Sequence, residues 1–286
     1  MPRLPASLAP AVARFRRDRL LQFGALLVAA VLLAALFAPW IAPFDPLTGD
    51  LRGAYLLAPG GDHLLGTDSQ GRDVWSRVLF GARISILVGV ISQGVALALG
   101  VTLGLVAGYY GRWVDGIIMR LADVTLAFPT LLLLIAVAAA VRPNLALTFV
   151  LIGVVGWAGM ARLVRGQVLV LRGAEYVQAA RALGAPDRRI LFRHLLPNVR
   201  AQVTVAATLG IAGAMMAEAA LSFLGLGAQP PTPSWGAMVS DGRDLLRVAP
   251  WVSFAPGVAI GLAVLGFNLV GDGLREAYDP KLKSDR

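Results

Sequence analysis

The side chains best suited to polar chemistry lie between Arg172 and Arg200, the longest polar interval in the second half of an otherwise apolar chain. The interval is rich in Arg and also carries acids and one His, without low-complexity character. Guanidinium and carboxylate groups at this density can form the polar rim of a contact with another protein. The composition favours a folded surface element.

The element that positions these side chains is predicted to be two short helices joined by a glycine turn. The first helix has one face at the i, i+3, i+4, i+7 spacing, formed by Tyr176, Ala179, Ala180 and Leu183. Gly184 stands where a helix commonly ends in the left-handed conformation. Pro186 fits the first turn of the second helix, and Arg193 and His194 fit its last turn.

The order of residues here resembles the EAA signature of permease subunits of ATP-binding-cassette importers. That signature is EAA, three residues, Gly, nine residues, Ile, one residue and Leu-Pro. Its counterparts are Gln178, Ala179, Ala180, Gly184, His194, Leu196 and Pro197. Gln178 replaces the Glu of the signature and His194 replaces its Ile, and Glu175 is an acid three residues earlier. The resemblance implies a cytoplasmic segment that docks in a groove of an ATPase subunit, whereas an Arg-rich loop that only obeys the positive-inside rule is the alternative.

Composition indicates an integral membrane protein. The 286 residues are 57% hydrophobic and 15% charged, with a mean hydropathy of +0.70, which is too much apolar surface for one water-soluble core. The basic residues behind the net charge of +9 are spread between apolar spans. This distribution favours contact with anionic lipid over nucleic acid. Because Cys is absent, disulfides and thiolate metal sites are excluded.

Six apolar runs are long enough to cross a bilayer as helices. They cover residues 20–42, 84–110, 121–141, 145–161, 201–226 and 251–270. The first run is longer than a signal-peptide core, so we expect an uncleaved helix. In the second, Gly100, Gly104 and Gly108 predict a close helix-packing face. We divide the chain into 1–83, a five-helix permease core at 84–272 containing the 172–200 loop, and a tail at 273–286.

Three further stretches resemble the dipeptide, oligopeptide and nickel branch of these permeases. They are LGTDSQGRDVWSRVLFGARIS from Leu65, ALSFLGLGAQPPTPSWG from Ala220 and FNLVGDGLREAYDP from Phe267. In the first, Thr67 is predicted to cap a helix whose apolar edge contains Val74, Val78 and Leu79. That helix either packs on the bundle at the membrane interface or contacts substrate.

Charge predicts the orientation in the cell membrane. If the N-terminus is cytoplasmic and six helices alternate, most of the 26 Lys and Arg residues lie in cytoplasmic segments, as the positive-inside rule requires. Both termini and the 172–200 segment are then cytoplasmic. Residues 43–83 and 227–250 are then outside the cell, where a soluble binding protein can reach them.

Ionisable residues within apolar spans are costly and tend to be functional. Asp123 lies near a predicted helix end, where interfacial solvation explains it. Glu218 lies well inside its span, so it either lines a translocation path or joins two helices through a buried hydrogen bond. Met215, Met216 and Asn268 are further candidates for the path, with helix packing as their alternative.

The sequence contains no G-x-x-x-x-G-K-[ST] phosphate loop, no Gly-x-Ser-x-Gly and no H-E-x-x-H. We therefore expect no catalysis, cofactor or metal in this chain. The resemblance implies an all-α, type I importer permease with six transmembrane helices that carries di- or oligopeptides, or nickel or glutathione by the same architecture. It also implies a second related permease, two ATPase subunits that bind ATP and Mg, and an extracytoplasmic solute-binding protein. A gradient-driven secondary transporter and a membrane scaffold are the alternatives from other classes.

Overall fold

The computed structural model describes Phe15, residues 18–140 and residues 144–278, and these residues contain nine α-helices joined by loops. They are α1 (Arg19–Ile41), α2 (Val74–Tyr110), α3 (Arg112–Ala127), α4 (Thr130–Ala140), α5 (Leu145–Leu171), α6 (Glu175–Ala182), α7 (Asp187–Phe223), α8 (Trp235–Gly242) and α9 (Trp251–Tyr278). These described residues contain no β-strand. The predicted all-α class is confirmed.

The longest helix pair, α2 and α5, is held together by the predicted glycine face. A Cβ atom at Gly100 would lie 2.5 Å from the Cβ of Met160, and one at Gly108 would lie 2.7 Å from the Cβ of Val168. Any larger side chain at these positions would separate the helices, which is the role that small residues have in membrane bundles. Residue numbers rise together along both helices, so α2 and α5 run parallel.

A parallel pair requires the chain to cross the membrane between its members. Helices α3 and α4 make this return, and they are bent by 88° relative to each other. The break occurs because Phe128 precedes Pro129 and adopts an extended conformation, with φ −91° and ψ 138°. The predicted third span is therefore two helices rather than one. Five single helices are long and apolar enough to cross a membrane. If the bent pair of α3 and α4 is counted as one span, the described residues contain six spans.

Helix α2 begins earlier than predicted. Its N-cap is Asp73, whose carboxylate accepts a hydrogen bond of 2.7 Å from the Ser76 amide. The prediction that Thr67 caps this helix is wrong, because the Thr67 hydroxyl is buried in the preceding loop, where it accepts a bond of 2.8 Å from the Leu57 amide. The expected interfacial helix is thus the first part of α2, and the division between residues 83 and 84 lies within it.

One end of the bundle, which we call the loop end, consists of residues 42–73, the start of α2 and helix α8. Asp68 forms ion pairs with Arg72 at 2.7 Å and with Arg77 at 3.5 Å, and all three side chains are at most 5% exposed. The Arg77 guanidinium also donates to the Pro46 carbonyl at 3.0 Å. These contacts fix the long loop to α2 without a regular element.

Helix α8 completes the loop end. The Trp235 indole donates to the Val78 carbonyl at 2.8 Å, which joins α8 to α2. Asp241 on α8 lies 3.9 Å from Arg72. Burial raises the pKa of Asp241, and the Arg77 and Arg72 guanidiniums oppose that shift.

Candidate functional site

The opposite end of the bundle, which we call the docking end, carries α6 and the first turns of α7. Val177 is fully buried and packs in one cluster with Val168 of α5 and Ile190 of α7. On the outer side, Tyr176 is 42% exposed and Leu183 is 88% exposed. The apolar face read from the sequence therefore points away from the bundle, where another protein can reach it.

The turn after α6 has the predicted glycine conformation. Gly184 has φ +74°, and its amide donates to the Arg181 carbonyl at 3.0 Å. The next amide, of Ala185, donates to the Ala180 carbonyl at 3.0 Å. This pair of bonds is a Schellman motif, which satisfies the last carbonyls of the helix and turns the chain sharply.

The docking end is attached to the end of α2 by polar contacts. The Tyr109 hydroxyl donates to the Asp187 carboxylate at 2.6 Å, and the Arg181 guanidinium lies 5.4 Å from the centre of the Tyr109 ring. Arg172 donates to the Gly108 carbonyl at 3.1 Å. These contacts join α6 and the start of α7 to α2, the helix that packs along α5.

The second of the two short helices predicted between Arg172 and Arg200 is not a separate element. It continues into the fifth span as α7, and residues Ile190–Leu195 form π turns. Pro197 follows this segment and has no amide hydrogen to donate, so a wider turn is one way to accommodate it within a continuous helix. Buried Leu195 and Val199 hold the segment against the bundle.

The residues matched to the signature lie together at the docking end, and their role in docking stays a prediction. Glu175 is exposed in the first turn of α6, and the Gln178 amide donates to the Gly173 carbonyl at 2.9 Å. The others range from half-buried to exposed: Ala179, Ala180, Gly184, His194, Leu196 and Pro197.

Two ion pairs connect α3 to α5 near the same end. Arg165 forms a bidentate pair with Asp115, in which one bond measures 2.6 Å. Arg162 donates to Asp123 at 2.7 Å, and both side chains are about half exposed. Asp123 is thus ion-paired to α5, and its solvation at the membrane interface stays a prediction.

Glu218 lies near the loop end of α7 and is fully buried. Its Oε1 accepts a hydrogen bond of 2.5 Å from the Ser222 hydroxyl, and Ser234 at the start of α8 is also beside the carboxyl group. Met215 is 2% exposed in the core, Met216 is 51% exposed and Asn268 is half-buried. This placement agrees with helix packing for Glu218 and Met215, and the path assignment of all four residues stays a prediction.

Sequence reasoning missed a cavity of about 420 Å³ in the middle of the bundle. Helices α2, α4, α5 and α7 line it, and Gln93, Thr130 and Ser92 supply its polar side chains. None of the four path candidates above lines it. The available signal was Gln93, a polar side chain in the middle of an apolar run.

Two family models match the chain. Residues 100–284 match the binding-protein-dependent transport system inner membrane component, and residues 8–59 match the N-terminal transmembrane domain of oligopeptide transport permease C.

Curated relatives match over almost the whole chain. A dipeptide transport system permease protein of Alkalihalophilus pseudofirmus is 45% identical over 271 residues, which cover 95% of this chain and 89% of that protein. A glutathione transport system permease protein of Pectobacterium atrosepticum is 45% identical over 271 residues, covering 95% and 90%. A putative peptide transport system permease protein of Brucella abortus is 43% identical over 272 residues, covering 95% and 91%.

Proposed function

The chain belongs to the family of binding-protein-dependent transport system inner membrane components, the permease subunits of ATP-binding-cassette importers, and from this premise we propose that it imports di- or oligopeptides. It is a multi-pass membrane permease and not itself the ATPase. The peptide assignment is supported by the relatives, two of which are named for dipeptide or peptide transport and one for glutathione, itself a tripeptide.

An importer of this family works with an ATPase and with a binding protein. Our proposal adds that two ATPase subunits bind ATP and Mg, and that a second, related permease completes the path. The observation that carries the docking assignment is α6, a short helix whose Tyr176 and Leu183 side chains point outward while Val177 holds it to the bundle. An exposed apolar face with a polar rim is the usual form of a protein contact.

Coupling follows from the continuity of α7. The helix begins at the docking end with Asp187 and lines the membrane cavity with Ala206, Gly210 and Ala217, about 30 to 45 Å further along at the helical rise of about 1.5 Å per residue. Movement of α6 and the start of α7 by an ATPase groove would shift this wall of the cavity as a rigid body. The docking segment thus links ATP hydrolysis to the path.

We place the protein in the inner or plasma membrane with both termini in the cytoplasm. The excess of Lys and Arg in the segments that the sequence predicts to be cytoplasmic supports this orientation. The loop end then faces outward, where the binding protein delivers cargo.

The test is the ATPase rate and peptide uptake of the purified complex in lipid, with and without peptide-loaded binding protein. Gly184→Pro removes the amide hydrogen that Gly184 donates to the Arg181 carbonyl. Proline also cannot adopt the φ of +74° that Gly184 has. We expect loaded binding protein to stimulate the native complex and this stimulation to be lost in the variant, while membrane insertion persists.

The matched control is Gly173→Ala in the same segment, where an added Cβ has only one ordinary contact at 3.8 Å. It should retain stimulation. Unchanged coupling in Gly184→Pro would remove the docking assignment. Uptake that continues without any ATPase partner would instead favour a gradient-driven transporter, and an assembled complex with no flux would favour a scaffold. Nickel in place of peptide as the stimulating cargo would correct the cargo assignment alone.

A further inference from the structure

The glycines of this bundle fall into two groups with different surroundings. Those at the α2–α5 contact meet neighbouring atoms at once, as the 2.5 Å separation at Gly100 shows. Gly159 of α5 and Gly213 of α7 also lie within helices and line the membrane cavity, yet a Cβ at either position would meet nothing within 4 Å. Helix packing within this chain therefore gives no reason for glycine at these two positions.

Gln93 of α2 is the second unusual feature of the same cavity. Its side chain is only 9% exposed, and it makes no hydrogen bond with any group in the part of the chain that the structure describes. Neither polar atom of this amide is among the sealed-off, unpaired atoms of the described residues, so the amide faces the open space of the cavity. A molecule that enters the cavity can therefore pair with both the C=O and the N–H₂ of Gln93.

A third glycine positions this amide. If residue 210 of α7 carried a Cβ, that atom would lie 2.1 Å from the Oε1 and 2.9 Å from the Nε2 of Gln93. Glycine at position 210 is therefore required for the Gln93 side chain to lie across α7 at the cavity. The amide is held in place by packing and not by hydrogen bonds, so both its polar atoms remain available.

We propose that Gln93 binds a peptide group of the cargo inside the membrane, and that Gly159 and Gly213 leave room for the cargo side chains. This inference rests on the proposed function. A primary amide carries one carbonyl and one N–H₂ group, so it can accept from the N–H and donate to the C=O of a peptide group. The described residues that line the cavity carry no charge, which suits a neutral peptide group.

The competing occupant is a helix of the second permease subunit. A transmembrane helix already satisfies its own backbone N–H and C=O groups, so it could pair with the Gln93 amide only through a polar side chain at this depth. An extended peptide has free backbone groups and can satisfy both atoms. The cavity volume of about 420 Å³ also lies in the range of sites for small ligands, about 300–1,000 Å³.

The first experiment pairs a side-chain change with a cargo change. Uptake is measured at saturating loaded binding protein for dialanine and for its analogue with an N-methylated peptide bond, in the native complex and in Gln93→Leu. We expect native uptake of dialanine to exceed that of the analogue by about 3- to 10-fold, the usual value of one hydrogen bond. Gln93→Leu should take up the two compounds at similar rates. An unchanged ratio in the variant would overturn the role of Gln93.

The second experiment tests the two glycines by size. Gly213→Leu should reduce uptake of ditryptophan at least 10-fold more than uptake of diglycine, because the new side chain fills the cavity. Gly94→Leu is the matched control, since Gly94 is an exposed glycine of α2 with open space around its Cβ and lies outside the cavity lining. It should leave the ratio of the two rates unchanged.

The outcomes separate the two proposals. If Gly213→Leu prevents co-purification of the second permease, a partner helix fills the cavity and the inference is wrong. Equal losses for both dipeptides, with assembly intact, also overturn it. If the native complex imports no dipeptide at all, the proposed function fails, and this inference fails with it.

Discussion

The two ends of the bundle differ in which side chains are buried and which are exposed. At the loop end, Asp68 and its Arg partners are buried and satisfied within the chain. At the docking end, Leu183 is 88% exposed and Phe192 is 57% exposed. The ion-pair network of the loop end is therefore satisfied within the chain, whereas the docking end presents exposed apolar side chains beside its polar ones, which a partner can bury.

This difference predicts where substitutions act. Changes at the loop end should lower the stability of the permease itself, since removing one partner of a buried ion pair leaves the other charge uncompensated. Changes on the outer face of the docking end should lower affinity for the ATPase and leave stability unchanged. The four variants below test that separation.

The largest effect is expected at Asp68. Asp68→Asn removes the charge facing Arg72 and Arg77, which should lower the free energy of unfolding by about 3–5 kcal/mol. Thermal unfolding of the purified permease in detergent measures this. Asp62→Asn, at an exposed position of the same loop, should unfold at the native temperature. Equal stability of the two variants would show that the network is not what holds the loop end.

The next effect is expected at Leu183. Leu183→Asp should weaken binding of the ATPase subunit by about 2 kcal/mol, or about 30-fold in Kd, as for a central interface residue. Leu64→Asp, which changes a leucine that is 63% exposed at the loop end, should bind normally. Surface-immobilised permease and soluble ATPase give both constants. Native affinity in Leu183→Asp would mean that the partner contacts another face.

A smaller effect is expected at Tyr109. Tyr109→Phe loses the 2.6 Å hydrogen bond to Asp187, which should cost about 1–2 kcal/mol at the base of the docking segment. The peptides imported per ATP should fall, while ATPase binding remains close to native. Tyr55→Phe, at an exposed tyrosine of the loop end, is the control. If both variants couple normally, Tyr109 does not transmit motion.

The smallest effect is expected at Glu218. Glu218→Gln keeps an oxygen that can accept from the Ser222 hydroxyl, so stability should change by about 1 kcal/mol or less and uptake should be retained. Combined thermal unfolding and uptake assays test this. Loss of uptake in a variant of native stability would move Glu218 from helix packing to the translocation path.

Prediction from sequence succeeded where periodicity and local chemistry decide the structure. The Gly184 turn and the Gly100, Gly104 and Gly108 contact were read correctly, because a helix end and a close helix approach each require residues of one type. It failed at helix boundaries. Asp73 and not Thr67 caps α2, and α7 continues through its π turns, since tertiary contacts and not the local pattern decide which of several suitable residues ends a helix.

The sequence by itself determined the membrane class and the family, and it located the residues that resemble the EAA signature, since apolar length, charge distribution and signature residues are properties of the chain order. Only the tertiary structure showed that α2 and α5 are parallel, that the third span is broken, and that Gln93 meets Gly210 beside the cavity. These facts depend on which residues distant in the chain become neighbours. The sequence does not distinguish a glycine at a tight helix contact, such as Gly100, from one beside an open cavity, such as Gly213. Only the neighbouring atoms in the folded chain do so.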